Sequence, residues 1–220
     1  MRKLFAFLSL LLSLLLNFSL LSQEVCNLSN GITLLLEERR DIPVVHIQVW
    51  VRAGSIYERD YYGSGISHFV EHMIFKGAET QPVGEVAREI TQLGGEIGAY
   101  TSFDHTAYWV NVPSDAWEEA LKILGEALLH PSFEEKEVEK ERKVILREMD
   151  MDEDDPERIL THYFFENFFL SHPYRYPVIG KREIFLRLKR SDLFDYHRKT
   201  YIPSNILLSL IHISEPTRPY

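Results

Sequence analysis

His68-Phe69-Val70-Glu71-His72 sets two imidazoles and a carboxylate on one side of a single helical turn, and no other stretch constrains the chain as strongly. A helical residue advances about 100°, so with His68 at zero His72 falls at about 40°, Glu71 at about −60° and Phe75 at about −20°. Ile66, Phe69, Val70, Met73 and Ile74 fill the remaining, apolar side. A helix that is apolar almost all round is normally buried, which turns the polar trio toward the interior. Buried polar groups need a partner, and a divalent metal suits two histidines at i, i+4. The order H-x-x-E-H inverts the commoner H-E-x-x-H metal motif. Taken alone, the five residues also fit a pair of hydrogen-bonded core histidines.

A second segment bears on the choice. Glu134 to Asp152 (EEKEVEKERKVILREMDMD) is strongly helix-forming and mostly charged. With Glu148 at zero, Glu141 lies at about 20°, Val144 at about −40°, Ile145 at about 60°, Met151 at about −60° and Val138 at about 80°. Arg142, Lys143, Glu135 and Glu139 fall on the opposite side. A solvated acidic face accounts for Glu134, Glu135, Glu137 and Glu139. It does not account for Glu148, because a carboxylate on a core stripe is costly unless paired or metal-bound. Glu148 therefore reads as the third protein ligand beside His68 and His72, with a fourth position left for water, as in catalytic zinc sites.

Other segments carry a resemblance. They are Gly54-Ser55 with Glu58, the run Gly65 to Gly77 around the two histidines, Leu93-Gly94-Gly95, and Ala99-Tyr100-Thr101-Ser102 with Asp104 and Thr106. Glu141-Arg142, Val144 to Glu148, His172-Pro173-Tyr174 and Pro177-Val178-Ile179-Gly180 follow in order. From about Leu28 to about Leu207 the chain resembles the pitrilysin or insulinase-like zinc metallopeptidases (inverzincins), a family that includes the mitochondrial processing peptidases. The resemblance implies a zinc endopeptidase of extended peptides, with one Zn2+ on His68, His72 and Glu148 and with Glu71 as the base that takes a proton from water. It implies that Glu141 supports catalysis without touching the metal. It also implies that substrate adds as a strand beside Gly98-Ala99-Tyr100-Thr101, and that a second homologous domain or subunit closes a chamber over it. The alternatives are a non-catalytic scaffold or docking subunit, as some relatives are, and a zinc hydrolase of non-peptide substrates. One departure stands out: Gly98 occupies the place where the family commonly has asparagine, which puts substrate register in question.

Composition narrows the remaining classes. The length of 220 residues suits one well-buried domain better than two, and the formal charge of −9 leaves no basic stripe for nucleic acid. The single cysteine, Cys26, excludes an intramolecular disulfide. Arg2 and Lys3 precede an apolar run from Leu4 to Leu16, continued to Leu21, which reads as a secretory signal over residues 1–22. An exported protein, in a bacterial periplasm or secreted, is the expectation, without a stable membrane span if the signal is cleaved. An uncleaved N-terminal anchor is the rival reading.

The order of elements reads as α+β: one mixed, largely antiparallel sheet with helices packed on one side. Strands are expected over Ile32–Glu37, Val45–Val51, Ile97–Thr101 and Thr106–Val112. Helices are expected over Gly84–Leu93, Asp115–Leu129, Glu134–Asp152, Pro156–Leu170 and Ser191–Thr200, besides the histidine helix. His46 reads as a sheet-face residue. By the same resemblance residues 23–207 are expected to form the first, catalytic domain of a pair. From about Leu208 the sequence LSLIHISEPTR resembles the translation of a transposase-type sequencing-library adapter. Residues 208–220 are accordingly expected to be a non-native tail of a truncated gene, without helix or strand period, and His212 and Glu215 receive no role.

Overall fold

The computed structural model describes residues 23–39 and 42–211. The signal reading for residues 1–22 and the tail from 212 onward lie outside those residues. Six strands form one sheet: β1 (Gln23–Asn27), β2 (Thr33–Glu37), β3 (Val44–Val51), β4 (Glu96–Thr101), β5 (Thr106–Pro113) and β6 (Ile206–Ile211). Their order across the sheet is β1-β2-β6-β3-β5-β4, and only β2 and β6 run parallel. The fold is therefore α+β with a mixed, mainly antiparallel sheet, as the element order implies.

Alternation in β3 sets the faces. Val45, Ile47, Val49 and Val51 are buried beneath the helices, while Trp50 stands on the opposite face, stacked on His105 with ring centroids 4.2 Å apart. His46 is a sheet-face residue, its Nδ1 2.6 Å from Asn111 Oδ1. In the β4–β5 hairpin Gly98 lies opposite Trp109, and a Cβ at residue 98 would come within 2.4 Å of the indole. The glycine thus gives the Trp109 ring room to lie across β4. Position 98 faces away from the helices, whereas Thr101 faces toward them.

Seven helices of the α type occur among the described residues: α1 (Ile66–Ile74), α2 (Glu85–Gln92), α3 (Trp117–Leu129), α4 (Glu135–Glu153), α5 (Pro156–Phe168), α6 (Arg182–Phe185) and α7 (Arg190–Thr200). The histidine helix α1 is buried on most sides, with Ile66, Phe69, Val70, Met73 and Ile74 in the core. Its chain enters through Gly65 at φ +69°, where a Cβ would meet Ile179 O at 2.2 Å. Only glycine combines that backbone conformation with that approach. Glu58, buried, accepts from Ser67 N at 3.1 Å and so occupies an orphan donor of the first turn.

Four expectations are corrected. Met151, placed on the core stripe of α4, is 69% exposed, because the last turn of that helix runs past the core. Arg142, placed on the solvent side, is half-buried: its guanidinium donates to Leu188 O at 2.8 Å and lies over Phe69 and Phe185. Glu137, taken as solvated, is buried and paired with Lys140. Residues 208–211, for which no strand period is expected, continue β6 between β2 and β3. Ile206, Leu208 and Leu210 share the helix-facing side with Val51, Val49 and Ile47 of β3, while Leu207 and Ile211 are apolar on the other face, which hides the alternation in the sequence.

Candidate metal centre

Helices α1 and α4 pack against each other and bring His68, His72 and Glu148 together. The two Nε2 atoms are 3.1 Å apart, and Glu148 Oε2 lies 3.6 Å from that of His72 and 3.9 Å from that of His68. All three separations are below twice the about 2.1 Å at which nitrogen and oxygen ligands sit from zinc. Glu148 is half-exposed at the rim of the core, open toward a cavity, rather than within the apolar stripe.

The surroundings prepare these atoms for a cation. His72 Nδ1 donates to Glu141 Oε1 at 3.1 Å, and Lys76 Nζ donates to Glu141 Oε2 at 2.9 Å. A proton on Nδ1 leaves the Nε2 lone pair directed at His68, which is how carboxylate partners prepare metal-binding imidazoles. Burial, followed by the neighbouring His72, pushes His68 down to about 3, so its ring is neutral and a lone pair is available. Burial also pulls His72 down, but the bond to Glu141 and the nearby Glu148 and Glu71 carboxylates outweigh it and raise the group above its ordinary value. Glu141 is raised by burial and lowered more by its bonds with His72 and Lys76, ending below the usual carboxylate range. Two imidazole nitrogens and one carboxylate oxygen form a donor set that fits zinc.

Glu71 sits beside this set on the same helix. Its Oε2 accepts from Thr101 Oγ1 at 2.8 Å, and burial pushes its carboxyl up against the opposing effect of that bond. Thr101 ends β4, which among the described residues is an edge strand with β5 as its one sheet neighbour. Of the four residues expected at the substrate strand, Ala99, Tyr100 and Thr101 line the cavity next to His68, Glu71 and Glu148. Gly98 does not line it, and its missing side chain is explained by Trp109. Thr101 is expected as a substrate-binding residue of the strand, without a tie to Glu71. Its hydroxyl bond to Glu71 has no signal in the sequence beyond the strand alternation that turns it toward α1.

A mixed sheet carrying an H-x-x-E-H helix against a glutamate-bearing helix defines a metallopeptidase-type domain. Residues 33–182 match the family model described as Insulinase (Peptidase family M16). The chain is 33% identical over 181 residues to the "Uncharacterized zinc protease YmxG" of Bacillus subtilis, covering 82% of this chain and 44% of that protein. A protease from Helicobacter pylori superimposes with a TM-score of 0.83 at 25% identity, over 88% of this chain and 47% of that one. A "peptidase M16 inactive domain" from Pseudomonas fluorescens gives the same TM-score at 20% identity, over 89% of this chain and 47% of that one, a likeness of fold alone. The chain belongs to the insulinase family of peptidases, and it spans less than half the length of these relatives.

Proposed function

We propose that this chain is the catalytic half of a zinc endopeptidase that cleaves extended peptides or unfolded protein segments. The observation that carries the reading is the convergence of His68, His72 and Glu148 with an unligated carboxylate, Glu71, held beside them by Thr101. His68, His72 and Glu148 would hold a zinc ion, which would supply Lewis acidity for a water and a substrate carbonyl. Glu71 is placed to accept a proton from the attacking water at its carboxylate and to return it to the leaving amine. Glu141 keeps the Nδ1 proton on His72 and fixes the ring, with Lys76 fixing Glu141 in turn. The free edge of β4 offers backbone donors and acceptors to an added strand, a mode of recognition tolerant of sequence.

The relatives are about twice as long, and the cavity here is lined by residues of α1, β4, α4, α5 and the segment 174–179. The length of the relatives supports a second homologous domain or subunit closing over it. Export under the N-terminal signal completes the proposal.

A non-catalytic role is favoured by the kinship of fold with an inactive domain, and it is opposed by the complete set of donors and base. The test is cleavage of casein-derived peptides by the zinc-loaded complete protein. Cleavage abolished by a chelator and restored by zinc is expected. Zinc bound with every peptide left intact would favour the scaffold reading or a non-peptide substrate.

A further inference from the structure

The cavity beside the donor set has a volume of about 630 Å³ and reaches from His68, Glu71 and Glu148 to a wall of aromatic rings and charged groups. The rings are Phe103, Phe165 and Tyr174, with Phe103 stacked on Phe165 at 5.4 Å and tilted on Tyr174 at 4.8 Å. Two acids in the wall, Asp152 and Asp155, share Arg158 as an ion-pair partner. Arg175 has no such partner among the described residues.

Arg175 ends the short 3-10 turn Pro173–Arg175 and lines the same cavity. Its Nη1 donates to Leu170 O at 2.7 Å and its guanidinium lies 5.7 Å from the Tyr176 ring centroid. Its Nε is buried and has no hydrogen-bond partner, and no carboxylate of the described residues reaches it within ion-pair distance. Glu166, the acid that feels its charge, is already held by Lys181 at 2.5 Å. A guanidinium in a cavity wall without a carboxylate partner can receive one in a charge-assisted hydrogen bond.

We propose that Arg175 makes this cavity a subsite for a carboxylate of the substrate, so that the peptidase selects peptides with an acidic residue close to the cleaved bond. The inference rests on the endopeptidase reading above and names its substrate class. The cavity is larger than one acidic side chain requires, and the Phe103-Phe165-Tyr174 wall takes an apolar neighbour of that residue. The carboxylate has two possible sources, an Asp or Glu side chain and the free C-terminus of a short peptide.

The experiment uses peptides matched except for Asp against Asn, or Glu against Gln, scanned along the sequence and made with free or amidated C-termini. With the zinc-loaded complete protein, kcat/KM is expected to favour the acidic peptide by about 10- to 100-fold, the size of a charged hydrogen bond in a desolvated site. Arg175→Gln is expected to bring kcat/KM for the acidic peptide down to that of its Asn or Gln counterpart, and its melting curve and zinc content, matched to the parent's, show that the variant folds. Arg175→Glu is expected to shift the preference to Lys. Equal rates for acidic and neutral side chains, with a preference for the free over the amidated C-terminus, assign the C-terminal carboxylate as the ligand. Rates indifferent both to side-chain charge at every position and to amidation, or a preference that persists in Arg175→Gln, overturn the proposal. Fluorescence-anisotropy binding of the same peptides to zinc-loaded Glu71→Gln reads selectivity without cleavage. Selective binding there, with no cleavage by the parent, would sink the peptidase reading and leave the carboxylate subsite standing.

Discussion

Thr101 Oγ1 donates to Glu71 Oε2 at 2.8 Å, tying the edge strand β4 to the helix that carries both histidines. The same hydroxyl lies 3.2 Å from Thr106 Oγ1 on β5, so the hairpin itself holds the donor in place. The strand expected to pair with substrate and the carboxylate expected to act as base are therefore joined by one hydrogen bond.

Removing that bond should reach turnover rather than binding. Thr101→Val is expected to lower kcat by about tenfold, the worth of one hydrogen bond that aligns the base, with KM and zinc content unchanged. Thr101→Ser keeps the hydroxyl and is expected to keep most of kcat. Steady-state kinetics on all three proteins checks this, and a Thr101→Val enzyme with parental kcat would show that Glu71 needs no such support.

Metal affinity is expected to depend on a residue that does not touch the metal. Glu141→Gln loses the charged acceptor of His72 Nδ1 and should weaken zinc binding by about 10- to 100-fold, as removal of such outer partners does elsewhere. Lys76→Met removes only the support of Glu141 and should weaken it less. Calorimetric titration with zinc ranks the two, and parental affinity in Glu141→Gln would rule out its positioning role.

Glu58 predicts a pH dependence of stability. Burial, against the lowering effect of its bonds from Ser67, raises its carboxyl to about 8. Proton counting agrees: Ser67 Oγ lies 3.0 Å from Glu58 and 2.8 Å from Tyr196 OH, which donates to Ala53 O at 2.9 Å. Three contacts need three protons, and the two hydroxyls hold only two, so a proton on Glu58 completes the chain. A folded-state value above the unfolded one contributes stability that is whole below the unfolded pKa and lost as pH rises through the folded pKa. Thermal stability should therefore fall between about pH 4.5 and about pH 8 on account of this group, and Glu58→Gln should flatten that fall. Melting curves across this range would contradict the account if the two proteins fell in parallel.

Gly98 departs from the family's asparagine for a reason visible in the hairpin. Any side chain there displaces the Trp109 indole, so Gly98→Asn should cost about 1–3 kcal/mol, as overpacking does, and redden tryptophan emission. Trp109→Ala added to Gly98→Asn should recover part of the loss. A Gly98→Asn protein of parental stability would mean that the ring swings aside freely.

Much of this was legible from residue order. The i, i+4 histidines with Glu71, and Glu148 two turns after Glu141, define helical faces before any coordinates, and the β3 alternation defines the covered side of the sheet. What escaped depends on length and on neighbours. A helical wheel treats every turn alike, so it could not tell that Met151 lies past the end of the core. It could not tell either that Arg142 would find Leu188 O and Phe185 O, nor that Glu137 would be covered. β6 is apolar on both faces, which hides its alternation. β1, Gln23–Asn27, pairs with β2 at the edge and is exposed throughout, with no apolar pattern to announce it. Arg175 reads as one more arginine until the fold leaves it in the cavity wall without an acid.

The central claim is that His68, His72 and Glu148 hold zinc while Glu71 does the proton transfer. It is tested most directly by measuring bound zinc and peptide cleavage together in the complete protein and its Glu71→Gln variant. The account predicts one zinc per catalytic domain in both, with cleavage in the variant reduced by about 10²- to 10⁴-fold, the usual loss of a general base. A parent without zinc, or a variant that cleaves at the parental rate, would contradict it.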